Sequence, residues 1–598
     1  MMLPKLTLST IKRYATDKSF SRGQSYWKSG AVISLTQRQT TLQSEVEGND
    51  PEPYRVTVDF DSGGITNARC SCPYSFEGWC KHIVAVLIAC VEAPDTIAQR
   101  PTLVQLLDSM NLVQTQGLVQ ELVDEVPSLI EMVDLYASRL AQPIPNKTAS
   151  KTARVPRKTS VDPAPFKRRV REILRNAIHG WNEGWDDDNI AVDLNRLARD
   201  ALAFAEKGDG HNALAVMEAI TEGCVSQWDN IYDYLGMGPD EFDIDLDAAW
   251  TEAILSTDLT GDEVLEWQEK LEAWQDSLGS FSMALEALRQ GWEYPPLVKV
   301  FQGEISGRGA WSGESPSWAE EFSLIRLKIL QRQERYEEYL YLAQAEGHMK
   351  EYLTMLGQLG RTEEAIQESA AVMTNCAEAQ SLAEVLRSQN KLPQALDIAI
   401  RGLRFEAEPT YNKYDFAVWT SELAEGLEEF DIALESRMIA FQARPSLQEY
   451  QTVESLAADW PEIRAELLDY LRTTDNWMAR EAKVDVFLHE GLVEDAISSI
   501  AVSEYGYVQA RLVLQVMDAA IENHADWVIQ LAQREAEKIM DAGKAKDYDL
   551  AVKWLQRMQR AYTTQDKTST WQRYSNKIVA AHGRKRKLMG LMESGGLR

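Results

Sequence analysis

The sequence predicts a mainly α protein in which a small N-terminal α+β module precedes a long series of paired helices. Three observations predict this fold class. Alternating apolar and polar residues, which are typical of half-buried strands, are concentrated in the first hundred residues. Beyond Phe166 the apolar residues recur with helical spacing nearly to the end. Within that helical part, a turn followed by alanine and a branched apolar residue recurs.

The N-terminal module combines a short helix with an antiparallel sheet. A helix is predicted over residues 8–19. Strands are predicted over residues 31–36, 42–46, 54–60 and 65–72. Asp61-Ser-Gly-Gly64 predicts a hairpin turn between the last two strands, because glycine supplies the positive φ that such turns need. A second helix is expected to begin near Lys81, where a run of apolar residues starts.

Two pairs of metal-ligating side chains lie between the last strand and that helix. Cys70 and Cys72 are two apart on a strand, where alternate residues share a face, so both thiolates can reach one ion. In a regular helix the same spacing separates Cys80 from His82 by about 200°, so at least one of them must precede the helix. Three thiolates and one imidazole form the closed tetrahedral set of structural zinc. The sequence therefore predicts one structural Zn²⁺ held by these four residues, with no catalytic residues and no other cofactor site.

Two other interpretations of the cysteines stay open at this point. The thiols can be small buried side chains with a histidine nearby by chance, or the C-x-C pair can serve redox chemistry. A third thiol and a histidine within thirteen residues favour metal over both.

Composition narrows the class of protein. Six cysteines in 598 residues are too few for a disulfide framework, and the N-terminus lacks a secretory pattern. No apolar run approaches the ~20 residues that a membrane span needs. We therefore expect a cytoplasmic protein without membrane contact.

At the four predicted ligand positions, the sequence resembles the SWIM zinc finger, in which C-x-C and C-x-H follow a hairpin and precede an apolar helix. The resemblance covers about 90 residues, including Ser19–Tyr26, Gly30–Leu35 and Cys80–Leu87, which resemble bacterial members. The stretch from Tyr548 to Met589 resembles the helical tail of long bacterial SWIM proteins.

This resemblance implies binding to nucleic acid or protein, not catalysis. In relatives the finger often accompanies a remodelling ATPase. The present sequence has no G-x-x-x-x-G-K-[ST] loop, so an ATPase would be a separate partner. Arg69 and Lys81 lie near the predicted metal, either as DNA contacts or as solvated surface charges.

Charge is unevenly distributed along the chain. The net charge is −30, yet residues 143–170 carry eight basic residues and one acidic residue, whereas residues 171–598 carry −33. The basic, proline-rich stretch either binds phosphate or keeps a spacer in solution; its basic residues are Lys147, Lys151, Arg154, Arg157, Lys158, Lys167, Arg168 and Arg169. Any nucleic-acid contact is therefore expected to lie within residues 1–170, because the acidic body would repel a polyanion.

A repeated pattern predicts a degenerate tetratricopeptide-like solenoid. Its clearest spacings are 30 and 38 residues, close to the ~34 of tetratricopeptide repeats. In each copy a turn precedes a small alanine that lets the second helix lie close to the first; these alanines are Ala213, Ala365, Ala395, Ala433, Ala496 and Ala551. Such arrays usually present a surface for protein binding.

Other candidate residues are weaker. Asp186 and Asp188 lie in an acidic cluster that lacks the spacing of a calcium loop, and they are the basis for an alternative in which the helical body is an enzyme. Cys90 lies on the predicted apolar helix and is expected to be a core residue. Cys224 and Cys376 are isolated, and each is expected to be a small buried residue and not a nucleophile.

The predicted function is a non-enzymatic, zinc-binding adaptor. Its finger binds DNA, protein or both, and its acidic helices dock a protein partner such as an ATPase. A purely protein–protein scaffold is the alternative. The predicted domains are a zinc module at 1–100, a helical extension at 101–142, a basic proline-rich linker at 143–166, a helical domain at 167–320 and a tetratricopeptide-like domain at 321–598.

Overall fold

The structure is a computed structural model. In it the chain forms two compact units. Met1–Asn111 and Arg387–Arg598 together form one unit, and Leu112–Leu386 form the other. The domain boundaries given above stay predictions. The structure describes residues 6–48, 50, 52–75, 78–126, 129, 161–182, 189–235, 244–306, 308–405, 409–501 and 510–597.

The chain begins with two helices where the sequence predicts one. Helix α1 spans Leu8–Arg13 and α2 spans Asp17–Lys28. The Thr16 side chain accepts a hydrogen bond from the Ser19 amide and so begins α2 as a new helix. The helical segment therefore extends well beyond residue 19, because the cap restarts it.

The first unit contains a five-stranded sheet in the order β4-β3-β2-β1-β5. Neighbouring strands are antiparallel, except that the short β5 pairs in parallel with β1. The sequence does not predict β5. The strands are β1 (Val32–Arg38), β2 (Thr41–Val46), β3 (Tyr54–Asp61), β4 (Gly64–Cys70) and β5 (Ala98–Gln99).

Helix α3 (Lys81–Glu92) packs on one face of this sheet. Every residue from His82 to Cys90 is buried, so the helix is enclosed on all sides. Val56 and Val58 of β3 point into the same core, whereas the alternate residues Arg55 and Thr57 point to the opposite face. The sheet thus has one apolar face and one polar face.

Two short helices follow, α4 (Leu103–Asp108) and α5 (Leu112–Glu125). The next helices are α6 (Ala164–Asn182), α7 (Asn189–Glu206), α8 (Gly210–Leu235), α9 (Leu246–Leu255), α10 (Gly261–Leu278), α11 (Ser282–Gln290), α12 (Pro295–Phe301), α13 (Ala319–Arg332), α14 (Tyr336–Glu346), α15 (Met349–Gln358), α16 (Thr362–Val372) and α17 (Cys376–Ser388). In the second unit, an apolar core surrounds the fully buried Trp250, whose Nε1 donates to Thr221 Oγ1.

The remaining helices belong to the first unit. They are α18 (Leu392–Leu403), α19 (Tyr414–Gly426), α20 (Phe430–Ala443), α21 (Leu447–Leu456), α22 (Trp460–Thr473), α23 (Ala479–His489), α24 (Val493–Ala501), α25 (Ala510–Ala520), α26 (Ala525–Asp541), α27 (Tyr548–Thr564), α28 (Thr568–His582) and α29 (Arg586–Ser594). Consecutive helices pack as pairs, most extensively α19 with α20 and α26 with α27.

The six repeated alanines are all fully buried, as the pattern predicts. The first residue of the pattern adopts a positive φ in five of the six copies, at Gly208, Gly360, Asn390, Glu428 and Gly491. These residues end one helix and allow the next to reverse direction. Helix pairs are therefore present at the predicted places, and their assembly into a solenoid stays a prediction.

None of the helices in the described part of the chain combines the length and the apolar character that crossing a membrane requires.

Candidate metal centre

Cys70 and Cys72 lie where β4 leaves the sheet. Cys70 is the last residue of β4 and is paired with Val56 of β3. The Ser71 amide continues the ladder by donating to Arg55 O at 3.0 Å, and the Ser71 side chain accepts from the Arg55 amide. The backbone thus stays extended through residue 71, and Pro73 then ends the pairing because it has no N–H.

Cys80 and His82 lie at the start of α3. Cys80 is the N-cap, with φ −71° and ψ 162°, and its carbonyl accepts the first helical hydrogen bond from Val84 at 3.1 Å. His82 lies in the first turn of the helix. Because the backbone of Cys80 is extended, the side chains of Cys80 and His82 are not held ~200° apart as they would be in a regular helix. Their spacing in the sequence predicts that one of them precedes the helix, and Cys80 does.

The four side chains converge on one point. One ligand atom from each of Cys70, Cys72, Cys80 and His82 lies within 4.8 Å of all the others. Cys70 Sγ and His82 Nδ1 are 3.6 Å apart. A tetrahedral zinc with Zn–S ~2.3 Å and Zn–N ~2.1 Å separates sulfur from nitrogen by about 3.6 Å, so the donor set fits this ion.

The thiols influence one another strongly. A hydrogen bond from Cys70 and, against burial, another from His82 lower the pKa of Cys80 to about 4. The same contact with Cys80 raises the pKa of Cys70, and burial raises that of Cys72. Three sulfurs this close cannot all carry charge without a cation between them. A divalent ion would remove this conflict, because thiolates are the form that binds zinc.

Two tyrosines hold the imidazole of His82, and sequence reasoning missed both. The ring of Tyr54 stacks on it with centroids 4.4 Å apart, and Tyr26 approaches edge-on at 5.4 Å. His82 Nε2 is buried without a hydrogen-bond partner among the described residues. Since Tyr54 shares the inward-facing register of Val56 and Val58, strand alternation is the signal that predicts its position.

The two basic residues near the site have different environments. Lys81 Nζ donates to Tyr26 Oη at 2.5 Å and lies 4.3 Å from the centroid of that ring. The Arg69 side chain is 73% exposed and lies 3.7 Å from Asp59. Arg69 therefore faces solvent, whereas Lys81 is engaged by a residue that also contacts His82.

The other sequence candidates are not part of this cluster. Cys90, Cys224 and Cys376 are buried elsewhere in the chain. Asp186 and Asp188 lie outside the described residues, as does most of the basic stretch at 143–166. Within the part of the chain that the structure describes, the Cys/His cluster is the one group of three or more potential ligands that meets at a point.

Comparisons with known proteins agree with this geometry. Residues 54–91 match the family model of the SWIM zinc finger. The zinc finger SWIM domain-containing protein 8 homolog of Drosophila melanogaster is 31% identical over 112 residues, which cover 19% of this chain and 5% of that relative. No solved structure matches the chain. Residues 54–91, which contain all four residues of the cluster, are therefore a SWIM zinc finger with a site compatible with one structural zinc ion.

Proposed function

We propose that this protein is a zinc-binding, non-enzymatic adaptor in which Cys70, Cys72, Cys80 and His82 ligate one Zn²⁺. The observation that carries the proposal is the completeness of the donor set, because four protein ligands leave no position for water or substrate. Zinc bound there would supply cross-links between the end of β4 and the start of α3. The protein's action then depends on the surfaces around the metal.

The polar face of the sheet is the surface of the finger that we propose for binding. Arg55 and Arg69 are exposed on neighbouring strands, and Thr57, two residues from Arg55, is paired with Arg69. Both guanidinium groups therefore project from the same face. Glu45 and Asp59 also lie on this face, which makes it only weakly basic. The basic stretch at 143–170 would add the charge that phosphate binding needs.

The acidic helices are proposed to dock a protein partner such as an ATPase. Residues 171–598 carry a net charge of −33, which disfavours nucleic acid and favours a basic protein surface. Paired helices with buried alanines offer the long surfaces that binding arrays use. We propose a cytoplasmic protein, because six cysteines in 598 residues are too few for a disulfide framework.

A purely protein–protein scaffold is the second candidate, and two observations favour it. Helix α3 is buried from His82 to Cys90, so this helix has no free face to insert into a DNA groove. The turn of the β3–β4 hairpin also packs against other residues of the first unit, since a Cβ on Gly63 would lie 2.6 Å from Leu423 Cδ1. Any DNA contact therefore falls to the polar face of the sheet and the basic stretch.

Binding of the full-length chain to duplex DNA across a salt series distinguishes the two candidates. The adaptor proposal expects binding at low salt that weakens as salt rises, with a shallower salt slope for the Arg55→Gln/Arg69→Gln variant. Lys18→Gln/Arg22→Gln, which removes two exposed basic residues from α2, is the matched control. No binding to DNA at low salt would support the purely protein–protein scaffold instead.

Metal analysis tests the zinc assignment. The purified chain should contain about one zinc, and Cys72→Ser should lose it together with part of its thermal stability. A Cys72→Ser protein that keeps both would contradict the assignment. Metal-dependent turnover that Asp186→Asn abolishes would instead support the enzyme alternative.

A further inference from the structure

The finger, taken together with helices α1 and α2 that pack on α3, contacts residues from much later in the chain. These later residues form a docking surface, which consists of helix α19 (Tyr414–Gly426) together with Arg387 and Gln448. We propose that the docking surface recognises the SWIM finger, and that zinc keeps the finger attached to it. This inference rests on the zinc assignment proposed above. It adds that zinc, besides holding the fold of the finger, also holds the finger against the later helices of the first unit.

Two reciprocal ion pairs join the finger to the docking surface. Arg13 Nη1 and Nη2 donate to Glu425 Oε1 and Oε2, each at 2.7 Å. Arg387 Nε donates to Asp61 Oδ2 at 2.7 Å, and its Nη2 donates to Oδ1 at 3.1 Å. The Arg387 and Asp61 side chains are only 7% and 18% exposed. Because the charges are opposite in the two pairs, only one orientation of the finger satisfies both.

The backbones also meet closely between these pairs. A Cβ on Gly426 would lie 2.2 Å from Gly63 O, so the end of α19 contacts the hairpin turn directly. Gln448 Nε2 donates to Arg13 O at 2.9 Å. The finger therefore contributes two separate elements to this contact, the end of α1 and the β3–β4 turn.

Each of these elements is connected to zinc ligands. The β3–β4 turn precedes β4, which ends at Cys70. The end of α1 is held by the loop before Cys80, where Trp79 stacks on Tyr14 with centroids 4.5 Å apart and the Trp79 amide donates to Tyr14 O at 2.6 Å.

Tyr14 also contacts the docking surface, through Glu422 of α19. Its hydroxyl donates to the Glu422 carboxylate, and burial, followed by the nearby charge of Glu422, raises the pKa of Tyr14 well above its ordinary value. Burial also raises the pKa of Glu422. Losing the Tyr14 hydroxyl would remove a hydrogen-bond donor from this half-buried carboxylate and weaken the contact. Loss of zinc would release Trp79 and Cys80, and with them the support for Tyr14 and Arg13.

Trypsin reports the attachment, because it cleaves after arginine and Arg387 is shielded by Asp61. We expect chelation of zinc from the full-length chain to increase the rate of cleavage after Arg387 by about tenfold or more. The Asp61→Asn/Glu425→Gln variant should show the same increase while retaining about one zinc per chain. Hydrogen exchange at residues 414–428 should rise in both cases.

Asp495→Asn is the matched control, because it removes a similar two-bond pair between Arg472 and Asp495 that the finger does not share. The Arg472 side chain is already 42% exposed, so this variant removes a charge pair without opening a buried contact and should leave cleavage after Arg387 unchanged. If the purified protein contains zinc and Arg387 stays protected after the zinc has been removed, the proposed link between metal and docking is wrong, while the zinc assignment stands. Purified protein without zinc would overturn both.

Discussion

The ring of Tyr54 lies on the imidazole of His82, with centroids 4.4 Å apart and planes inclined by 26°. His82 Nδ1 faces Cys70 Sγ, so this stacking fixes the direction in which the nitrogen points. We expect Tyr54→Ala to weaken zinc binding by about tenfold, the lower range for residues that orient a metal ligand. Competition with a chromogenic zinc chelator measures the effect. Tyr54→Phe keeps the ring and should bind zinc as the wild type does; equal weakening in both variants would contradict the stacking role.

Gly426 has no room for a side chain, because its Cβ would lie 2.2 Å from Gly63 O. Gly426→Ala should therefore lower the free energy of unfolding by about 1–3 kcal/mol, the usual cost of overpacking. Chemical denaturation measures this change. Gly590→Ala is the control, since nothing lies within 4 Å of that Cβ and the residue is helical. It should be neutral or stabilising, and a Gly426→Ala protein as stable as Gly590→Ala would show that the two backbones do not meet.

Glu334 adopts φ +57° between α13 and α14, a conformation that costs a non-glycine residue about 1 kcal/mol. Glu334→Gly should therefore raise the melting temperature slightly, even though glycine is more flexible in the unfolded chain. The exposed Glu363 is the control, because it lies in the first turn of helix α16 and not in a left-handed turn. Glu363→Gly should lower the melting temperature, because glycine is a poor helix former. The same sign of change in both variants would argue against the left-handed turn.

Asp247 introduces a pH dependence into the second unit. Burial raises its pKa to about 6, although its carboxylate accepts hydrogen bonds from the Met283 and Ala284 amides. In the unfolded chain the pKa is ~3.9, so the folded state binds the proton more tightly. This group's contribution to stability is complete below pH ~4 and is lost as pH rises to about 6.

Replacing Asp247 with asparagine removes this titration. We expect the stability of Asp247→Asn relative to wild type to increase between pH 4 and pH 6.5, as measured by urea denaturation at several pH values. Taking the difference between the two proteins cancels the zinc site's own response to acid. A difference that stays constant across this range would contradict the raised pKa.

Much of the finger can be predicted from the sequence. Alternation identifies the four long strands, and the spacing of Cys80 and His82 places one of them before the helix, where the structure has Cys80 as the N-cap. These features depend on neighbouring residues, so they are visible in a local pattern. The restart of the helix at Thr16 depends on one side-chain hydrogen bond, which residue periodicity does not reveal.

Contacts between distant segments are not visible in this way. Arg13 and Glu425 are ordinary charged residues in two separate helical stretches, and neither carries a motif. Asp61 fits a hairpin turn well, which explains its presence without any role for Arg387. The buried alanines were predictable because each belongs to a local turn-and-helix pattern, whereas the order in which helix pairs associate is set by side chains far apart in sequence.

The first unit is built from two separate stretches of the chain, and this has a consequence for its synthesis on the ribosome. The finger is translated before its docking surface, because residues 112–386 lie between them. At ~5–20 residues per second, the completed finger waits roughly 15–70 s until Gln448, the last residue of that surface, has been made. During this delay Arg13 and Asp61 have no partners from residues 387–598, and zinc would have to stabilise the nascent finger alone. Early metal loading would then decide whether the newly made chain acquires its final architecture.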